Sequence, residues 1–509
     1  MAKLLTPSTA ACLSLLLAAC TGDNESSSTT PAPRSQAQVS PNEVQRANDG
    51  VNLSATPRAV CGPGSTPESG MQGRVSQADF DTGLASAGFT CNTQLVGSYD
   101  TGAKFGFVGG YKVERFVDTK GQECAYYDTT LIAPLNILEQ TSGVHVMDMS
   151  DPTKPRLARR LNSPAMISPH ESLLVNTKRG VLAAVVGNPV LGPGIVDLYD
   201  IKDNCLNPIL KSSTPLGLLG HESGMTADGN TFYAASPASM TIVALDISNL
   251  SLPKLIWAGF ESSHGLSLDA TGNRAYLASL SGPGGLVVLD TSEIQSRKPN
   301  PTVKRISAFT WDTLSIPQNT IPVTFDGKPH IIEFDEFASG GSGLDVIKTG
   351  FLGAPLKVAD LVSSPNGPLV GAGRIIDISD ETKPSLVSNL RLEVHNIANR
   401  EALASDPGAQ NFGGGYGAHY CNVPTLVDPP IVACSMMLSG LRVFDIRDPK
   451  YPKEIAYFVA PAKPRSLNIL APPSNWAMAR PTFVPERKEI WYSDVYQGFF
   501  VVRLTNEVW

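Results

Sequence analysis

One phrase recurs seven times along the chain and constrains the fold more than any other feature. Each copy is an alternating apolar run, followed in most copies by an aspartate and a polar turn that often contains proline. Alternation with Val, Ile and Phe predicts a strand with one buried face, and the Asp-Pro or Asn chemistry predicts the turn after it. The copies are GVHVMDMSDPTKP from Gly143, GIVDLYDIKDNCLNP from Gly194, MTIVALDISNLSLP from Met240, GLVVLDTSEIQSRKP from Gly285, GRIIDISDETKP from Gly373, GLRVFDIRDPKYP from Gly440 and GFFVVRLTNE from Gly498.

Each copy lies in a larger unit of four predicted strands. A second apolar run such as KEIAYFVAP follows the turn, and two short strands precede the phrase, as in HGLSLDATGNRAYLAS from His264. Such units, repeated every forty to sixty-five residues or so, are typical of propeller blades, which bury their faces only by stacking on neighbours. The last copy lacks a fourth strand, whereas TQLVGSYD from Thr93 looks like a fourth strand alone. We therefore predict an all-β, seven-bladed β-propeller whose last blade is closed by the N-terminal strand, Gln94 to Tyr99.

The phrase GLRVFDIRDPKYPKEIAYF and its siblings resemble the LVIVD repeat family of bacterial propellers, many of which are exported. The resemblance extends from about Gln94 to Leu504 and is weakest in the first blade and from Pro317 to Gly373. It implies a scaffold rather than one activity. The leading expectation is therefore a cell-envelope binding or scaffold module for a protein, glycan or small-molecule ligand.

The N-terminal residues are typical of a targeting segment. Lys3 is followed by an apolar stretch too short to span a bilayer, and Leu-Ala-Ala-Cys resembles the lipobox of bacterial lipoproteins. We predict a signal peptide over residues 1–19, a lipid anchor at Cys20, a disordered Ser/Thr/Pro-rich tether over 20–60, an N-terminal extension over 61–92 and the propeller over 93–509. Thr21 favours sorting to the outer membrane, with the protein periplasmic or on the cell surface. An ordinary signal peptide that leaves Cys20 free is the alternative.

Cysteine usage fits an oxidising compartment. Six cysteines lie beyond the anchor, an even number that suits disulfides, and no Cys-x-x-Cys occurs. Cys61 with Cys91 and Cys421 with Cys434 are the pairs we expect, although six cysteines allow fifteen connectivities.

Charge and motifs exclude several function classes. The chain has 47 acidic and 40 basic residues and no polybasic run, which argues against nucleic acid as a partner. It lacks a Gly-x-Ser-x-Gly elbow, a P-loop and a dinucleotide fingerprint, so hydrolase, kinase and nicotinamide activities are unsupported. We expect a monomer.

Four of the seven histidines occupy one position of the repeat. Alignment of the blades places His170, His221, His264 and His419 at the start of the innermost strand, with Asn319, Arg480 and about Val113 at that position in the other blades. Rotation about the propeller axis would bring the imidazoles to one channel mouth, where Fe, Cu or Zn could bind. Glu171 and Glu222 follow two of the histidines and, with Asn319 and Arg480, are candidates to orient the ligands.

This pattern leaves two functional hypotheses open. The histidines could be metal ligands of an Fe- or Cu-dependent oxidase or oxygenase, which is the enzymatic alternative to the binding module. They could instead be structural residues copied by duplication of the repeat.

The remaining candidates favour structural roles. His145, His330 and His395 are expected in strands or a loop, and the aspartates that end the third strands are expected to form turns. Glu333, Asp335 and Glu336 lack calcium-loop spacing and are interpreted as a solvated acidic edge. The insertion from Asn396 to Tyr416 could shape a site or be a flexible elaboration.

Overall fold

Seven antiparallel sheets form the ring of a β-propeller, as the repeat predicts. The computed structural model describes residues 44–46, 54–104, 107–129, 133–187, 194–218, 220–237, 239–280, 284–311, 316–336, 371–403, 405–407, 415–463 and 475–509. Blades 1 to 7 each contain four strands in chain order from the channel outwards, and the fourth strand of blade 7 comes from the N-terminal part of the chain.

The first four blades have these strands: Val113–Val117, Glu123–Asp128, Val144–Asp148 and Arg156–Leu161 in blade 1; Leu174–Asn176, Val181–Val185, Val196–Asp200 and Ile209–Thr214 in blade 2; Glu222–Met225, Thr231–Ser236, Thr241–Asp246 and Lys254–Phe260 in blade 3; Ser263–Leu268, Arg274–Ser279, Gly285–Asp290 and Lys304–Thr310 in blade 4. The last three have Ile316–Phe325, Lys328–Glu336, Gly373–Asp377 and Ser385–Leu390 in blade 5; Tyr420–Asn422, Ile431–Ser435, Leu441–Asp445 and Lys453–Val459 in blade 6; Thr482–Val484, Glu489–Asp494, Gly498–Leu504 and Thr93–Tyr99 in blade 7. Short helices lie at Gln77–Asp81, Leu84–Ala87, Ala133–Leu138, Ser292–Gln295 and Arg400–Leu403, with 3-10 turns at Glu393–His395, Ile397–Asn399 and Pro485–Arg487.

Ring closure follows the prediction. Thr93–Tyr99 pairs antiparallel with Gly498–Leu504, and Leu95 lies opposite Val502. The closing strand joins distant parts of the chain in one sheet, so the ring is sealed by backbone hydrogen bonds.

Burial along the third strands differs from the expectation of one buried face. In Val144–Asp148 the first four residues are all buried, whereas the outer strand Arg156–Leu161 is largely exposed. Each blade packs between two neighbours, so its inner strands have no solvent face. The recurring alternation of the phrase therefore indicates a strand and does not mark an exposed side.

The aspartates that end the third strands form turns, as predicted. Each accepts a hydrogen bond from the backbone N–H two residues later, over 2.7–3.1 Å. These residues are Asp148, Asp246, Asp290, Asp377 and Asp445.

Three disulfides link the six cysteines. The two predicted pairs, Cys61–Cys91 and Cys421–Cys434, are present. The third, Cys124–Cys205, joins the second strand of blade 1 to the loop after the third strand of blade 2.

The residues before the closing strand also contact the propeller. Val44–Arg46 pairs in parallel with the outer strand of blade 4, and Phe89–Cys91 adds a fifth strand to blade 6. Thr56 donates its backbone N–H to the carbonyl of Arg391 at 2.8 Å. Residues 1–43, with the signal segment and Cys20, lie outside the described residues, so the signal peptide and the anchor stay predictions. The predicted disorder over 20–60 is wrong for Val44–Arg46 and Thr56, because these residues bond to the propeller. Among the described residues, no helix is long and apolar enough to cross a membrane.

Candidate metal centre

The innermost strands bring the aligned histidines to the channel. His221 and His419 directly precede the first strands of blades 3 and 6, and His264 lies within the first strand of blade 4. Backbone hydrogen bonds from His221 to the carbonyl of Ala235 (2.7 Å) and from His419 to that of Ser435 (3.0 Å) fix two of these positions. His221 and His419, which the sequence alignment of the blades places together, therefore occupy equivalent positions in their blades.

The histidine rings lie close together. His221 Nε2 is 3.1 Å from His264 Nε2, and the ring of His170 lies 4.4 Å from that of His221 between centroids. Tyr111 links the two ends of the cluster, because its ring centroid is 4.4 Å from that of His170 and 5.4 Å from that of His419. The cluster runs from partly exposed His170 and His221 to fully buried His419.

Glu171 lies at the centre of the cluster. Its Oε2 is 3.2 Å from His221 Nε2 and 3.5 Å from His264 Nε2, and its Oε1 is 3.1 Å from His419 Nε2. The preceding residue, His170, has a φ of 52°. The chain is therefore not extended there, and two consecutive side chains face the channel where a regular strand would turn them to opposite faces. The carboxylate lies among the imidazoles and not behind them.

Glu336 is the second carboxylate at the cluster. Its Oε1 is 3.4 Å from His264 Nε2, and its Oε2 is 3.6 Å from His419 Nε2. Its backbone forms an isolated parallel bridge with Ala418, next to His419. Glu336 was not predicted as a site residue, and the interpretation of its segment as a solvated edge is wrong.

Two buried acidic residues of this segment share one arginine. Glu333 and Asp335, both with 0% exposure, form ion pairs with Arg374, the latter at 2.9 Å. Burial and the neighbouring Asp335 charge raise the pKa of Glu333 well above its ordinary value. Alternation along the strand puts these two residues on the face opposite Glu336. That alternation was the available signal that Glu336 points elsewhere.

The orientation of two imidazoles is fixed by backbone carbonyls. His264 Nδ1 lies 3.2 Å from the carbonyl oxygen of Gln318, and His419 Nδ1 lies 2.7 Å from that of Met478. A carbonyl only accepts, so each Nδ1 carries the hydrogen and donates it. Each Nε2 is consequently directed at the carboxylates, as in metal-ligating histidines, whose other ring nitrogen usually donates to a carbonyl or a carboxylate.

The pKa values indicate that the cluster attracts positive charge. Burial would raise the pKa of Glu171, but the positive charge of His264 and hydrogen bonds with His221 and His419 hold it well below its ordinary value. Burial would likewise lower the pKa of His264, but Glu171 and Glu336 raise it well above the usual range. For His170, burial and the charge of His221 lower the pKa well below its ordinary value. The carboxylates therefore stabilise a cation at His264.

The remaining predicted site residues divide into two groups. Glu222 Oε2 lies 3.8 Å from His264 Nδ1, and its Oε1 accepts hydrogen bonds from Lys112 Nζ (2.9 Å) and Asn319 Nδ2. Glu222 thus lies on the Nδ1 side of His264, and Asn319 contacts Glu222 there. Arg480 is not brought to the histidines by any contact found in the described residues, and it pairs instead with Glu114 at 2.8 Å.

The other three histidines have local contacts of a structural kind. His145 Nε2 lies 3.3 Å from the carbonyl of Thr141, and His330 Nδ1 lies 2.9 Å from that of Lys328. His395 accepts a hydrogen bond from Leu392 N at 3.0 Å and is fully buried. Burial lowers the pKa of His145 and of His395 to about 3 in each case, so both are neutral.

Distances in the cluster match those between ligands of one metal centre. With metal–nitrogen and metal–oxygen bonds of about 2.0–2.2 Å, neighbouring ligand atoms lie about 2.8–3.1 Å apart in octahedral geometry and about 3.3–3.6 Å apart in tetrahedral geometry. The six nitrogen–nitrogen and nitrogen–oxygen contacts above span 3.1–3.6 Å.

Two segments of the chain match the LVIVD repeat family. The family matches residues 220–258, which cover most of blade 3, and residues 374–391, which cover the third and fourth strands of blade 5. The resemblance inferred from the sequence is thereby confirmed.

Solved structures with similar folds are distant in sequence. They include a functionally unknown protein from Desulfotomaculum acetoxidans, with 12% identity over 70% of this chain and 90% of that chain (TM-score 0.41). Kuenenia stuttgartiensis hydrazine synthase has 13% identity over 80% and 99% (TM-score 0.44), and the Cps50 β-propeller domain of Myceliophteria thermophila has 10% over 77% and 99% (TM-score 0.44). No curated protein matches the sequence. At these TM-scores the likenesses carry no information on activity.

Proposed function

We propose that this protein is an exported metalloprotein in which the propeller channel binds a divalent transition metal. One observation carries the proposal: His264 Nε2 faces three ligand-type atoms at once. It lies 3.1 Å from His221 Nε2, 3.5 Å from Glu171 Oε2 and 3.4 Å from Glu336 Oε1. A proton on that nitrogen can point at only one of these atoms, whereas a metal ion can bind several of them at once.

The ligand chemistry favours iron. Imidazole nitrogen suits Fe, Cu and Zn, and two histidines with a carboxylate are the ligand set of many Fe(II) sites. Glu171 and Glu336 add two hard, charged oxygen ligands, which suit Fe(II) better than Cu(I). We place Fe(II) first, with Zn(II) and Cu(II) as alternatives. An oxidase or oxygenase activity is the enzymatic role that such an ion would support.

The cellular setting is part of the proposal. Three disulfides favour an oxidising compartment, which agrees with the signal segment. We propose a lipid anchor at Cys20 and a location at the outer membrane, periplasmic or cell-surface. The binding role expected of the repeat family would then be exercised at the channel mouth, where partly exposed His170 and His221 provide access to the metal.

Metal analysis of the untagged protein tests the proposal. We expect at least one equivalent of Fe, Zn or Cu per chain by inductively coupled plasma mass spectrometry. The variant His221→Ala/His264→Ala is expected to lose the metal. His145→Ala and His330→Ala are matched controls and should keep it. Protein that neither contains nor takes up a stoichiometric metal would refute the proposal.

Metal binding is expected to weaken as the pH falls. The raised pKa of His264 means that the metal-free protein holds a proton there, and the metal must displace this proton. The metal-free state binds more protons, so the association constant for the metal rises with pH until the pH exceeds the pKa of His264. Calorimetric titrations in buffers of different ionisation enthalpy should detect release of about one proton per ion bound to His264. An affinity independent of pH, with no proton release, would contradict this prediction.

A further inference from the structure

Glu171 and Glu336 each place one carboxylate oxygen near His264 and the other near His419. Glu171 directs Oε2 at His264 Nε2 (3.5 Å) and Oε1 at His419 Nε2 (3.1 Å). Glu336 directs Oε1 at His264 Nε2 (3.4 Å) and Oε2 at His419 Nε2 (3.6 Å). Each carboxylate therefore presents one oxygen to each of two separate positions.

We infer that the channel holds a dinuclear metal centre in which Glu171 and Glu336 bridge two divalent ions. The inference rests on the proposed function and gives its site a second ion. Ions in two-metal sites lie about 3.5–4 Å apart, a spacing that a carboxylate spans with one oxygen on each ion. We call the position beside His264 the first position and the position beside His419 the second position.

The first position has imidazole ligands in addition to the bridges. His221 Nε2 lies 3.1 Å from His264 Nε2 and 3.2 Å from Glu171 Oε2. Ligand-type atoms of Glu171, His264 and Glu336 all lie within 4.8 Å of one another, as do those of His170, Glu171 and His221. Both groups contain Glu171, and neither includes His419.

The second position has Gln318 in addition to His419. The Gln318 side-chain nitrogen lies 2.8 Å from Glu171 Oε1 and 3.4 Å from His419 Nε2. Gln318 has 0% exposure, and its Oε1 has no hydrogen-bond partner. A buried amide oxygen without a partner is unfavourable. Rotation of the amide by half a turn exchanges its two ends and offers this oxygen to the second ion, since amide oxygens are metal ligands.

Counting ions with Co(II) as the probe tests the inference. The mature chain without a histidine tag is stripped of metal and equilibrated with excess Co(II), and bound cobalt is measured after dialysis. We expect two Co(II) per chain in the wild type. We expect one in His419→Ala, which leaves the first position intact, and two in the matched control His330→Ala. Gln318→Leu removes no charge and should weaken the second Co(II) at least about tenfold while the first is retained.

The outcomes separate this inference from the proposed function. Two Co(II) in the wild type, one of which is lost in His419→Ala, supports the dinuclear centre. One Co(II) in the wild type, lost in both His419→Ala and His221→Ala, overturns the second ion but leaves a single-metal site. No bound Co(II) in a wild type that melts cooperatively overturns both. Retention of one ion in Gln318→Leu provides the test if His419→Ala does not fold.

Discussion

Replacement of Glu171 by Gln is expected to lower the metal affinity by about 100-fold or more. The substitution keeps the size of the side chain but removes the charge whose oxygens lie 3.1–3.5 Å from three imidazole nitrogens. Changes to residues that merely support ligands already cost about 10–100-fold. Loss of a ligand at the centre of the site should lower the metal affinity at least as much. Competition with a chromophoric chelator gives the affinity.

A matched carboxylate provides the control for this prediction. Glu261 lies in the link between the outer strand of blade 3 and the first strand of blade 4, and it pairs with Arg305 of the outer strand of blade 4 at 2.6 Å. Glu261→Gln removes the same charge and should bind metal like the wild type. Thermal melting of both variants establishes that they are folded. An affinity of Glu171→Gln within a few-fold of the wild type would mean that the carboxylate is not a ligand.

Loss of the Cys124–Cys205 disulfide is expected to lower the free energy of unfolding by about 4.5 kcal/mol, on the loop-entropy scale for a separation of 81 residues. The bond joins blades 1 and 2, so it restricts a large part of the unfolded chain. The variant Cys124→Ala/Cys205→Ala, unfolded in guanidinium chloride, gives the measurement.

The short disulfide of blade 6 serves as the comparison. Cys421–Cys434 closes a separation of 13 residues, for which the same scale gives about 3 kcal/mol. Cys421→Ala/Cys434→Ala should therefore be the less destabilised of the two double variants. The reverse order would show that chain entropy does not govern the contribution of these bonds.

The sequence predicts the fold well because a propeller is specified by local repeats. The apolar phrase, the turn aspartates and the lone strand at Thr93 each report on one blade, and together they indicate seven blades and the closing partner. The alignment of the blades also predicted that four histidines lie close together, because residues at one repeat position are related by rotation about the propeller axis. These are His170, His221, His264 and His419.

The central carboxylates could not be predicted in the same way. Glu171 enters the cluster because His170 has a positive φ, which an alternating strand pattern does not reveal. Glu336 is the last residue of the second strand of blade 5 and does not occupy the repeat position of the histidines. Gln318 lies one residue before that position in its own blade. These contacts depend on the packing of different blades around the axis, which repeat alignment does not describe.

Anomalous diffraction from crystals of the untagged protein tests the central claim most directly. Data collected at the Fe, Zn and Cu absorption edges should give a peak about 2 Å from His264 Nε2 and from an oxygen of Glu171, with the identity of the metal read from the edge. A second peak about 3.5–4 Å away, beside His419, is expected for the dinuclear centre. A channel without an anomalous peak after equilibration with these metals would contradict the account.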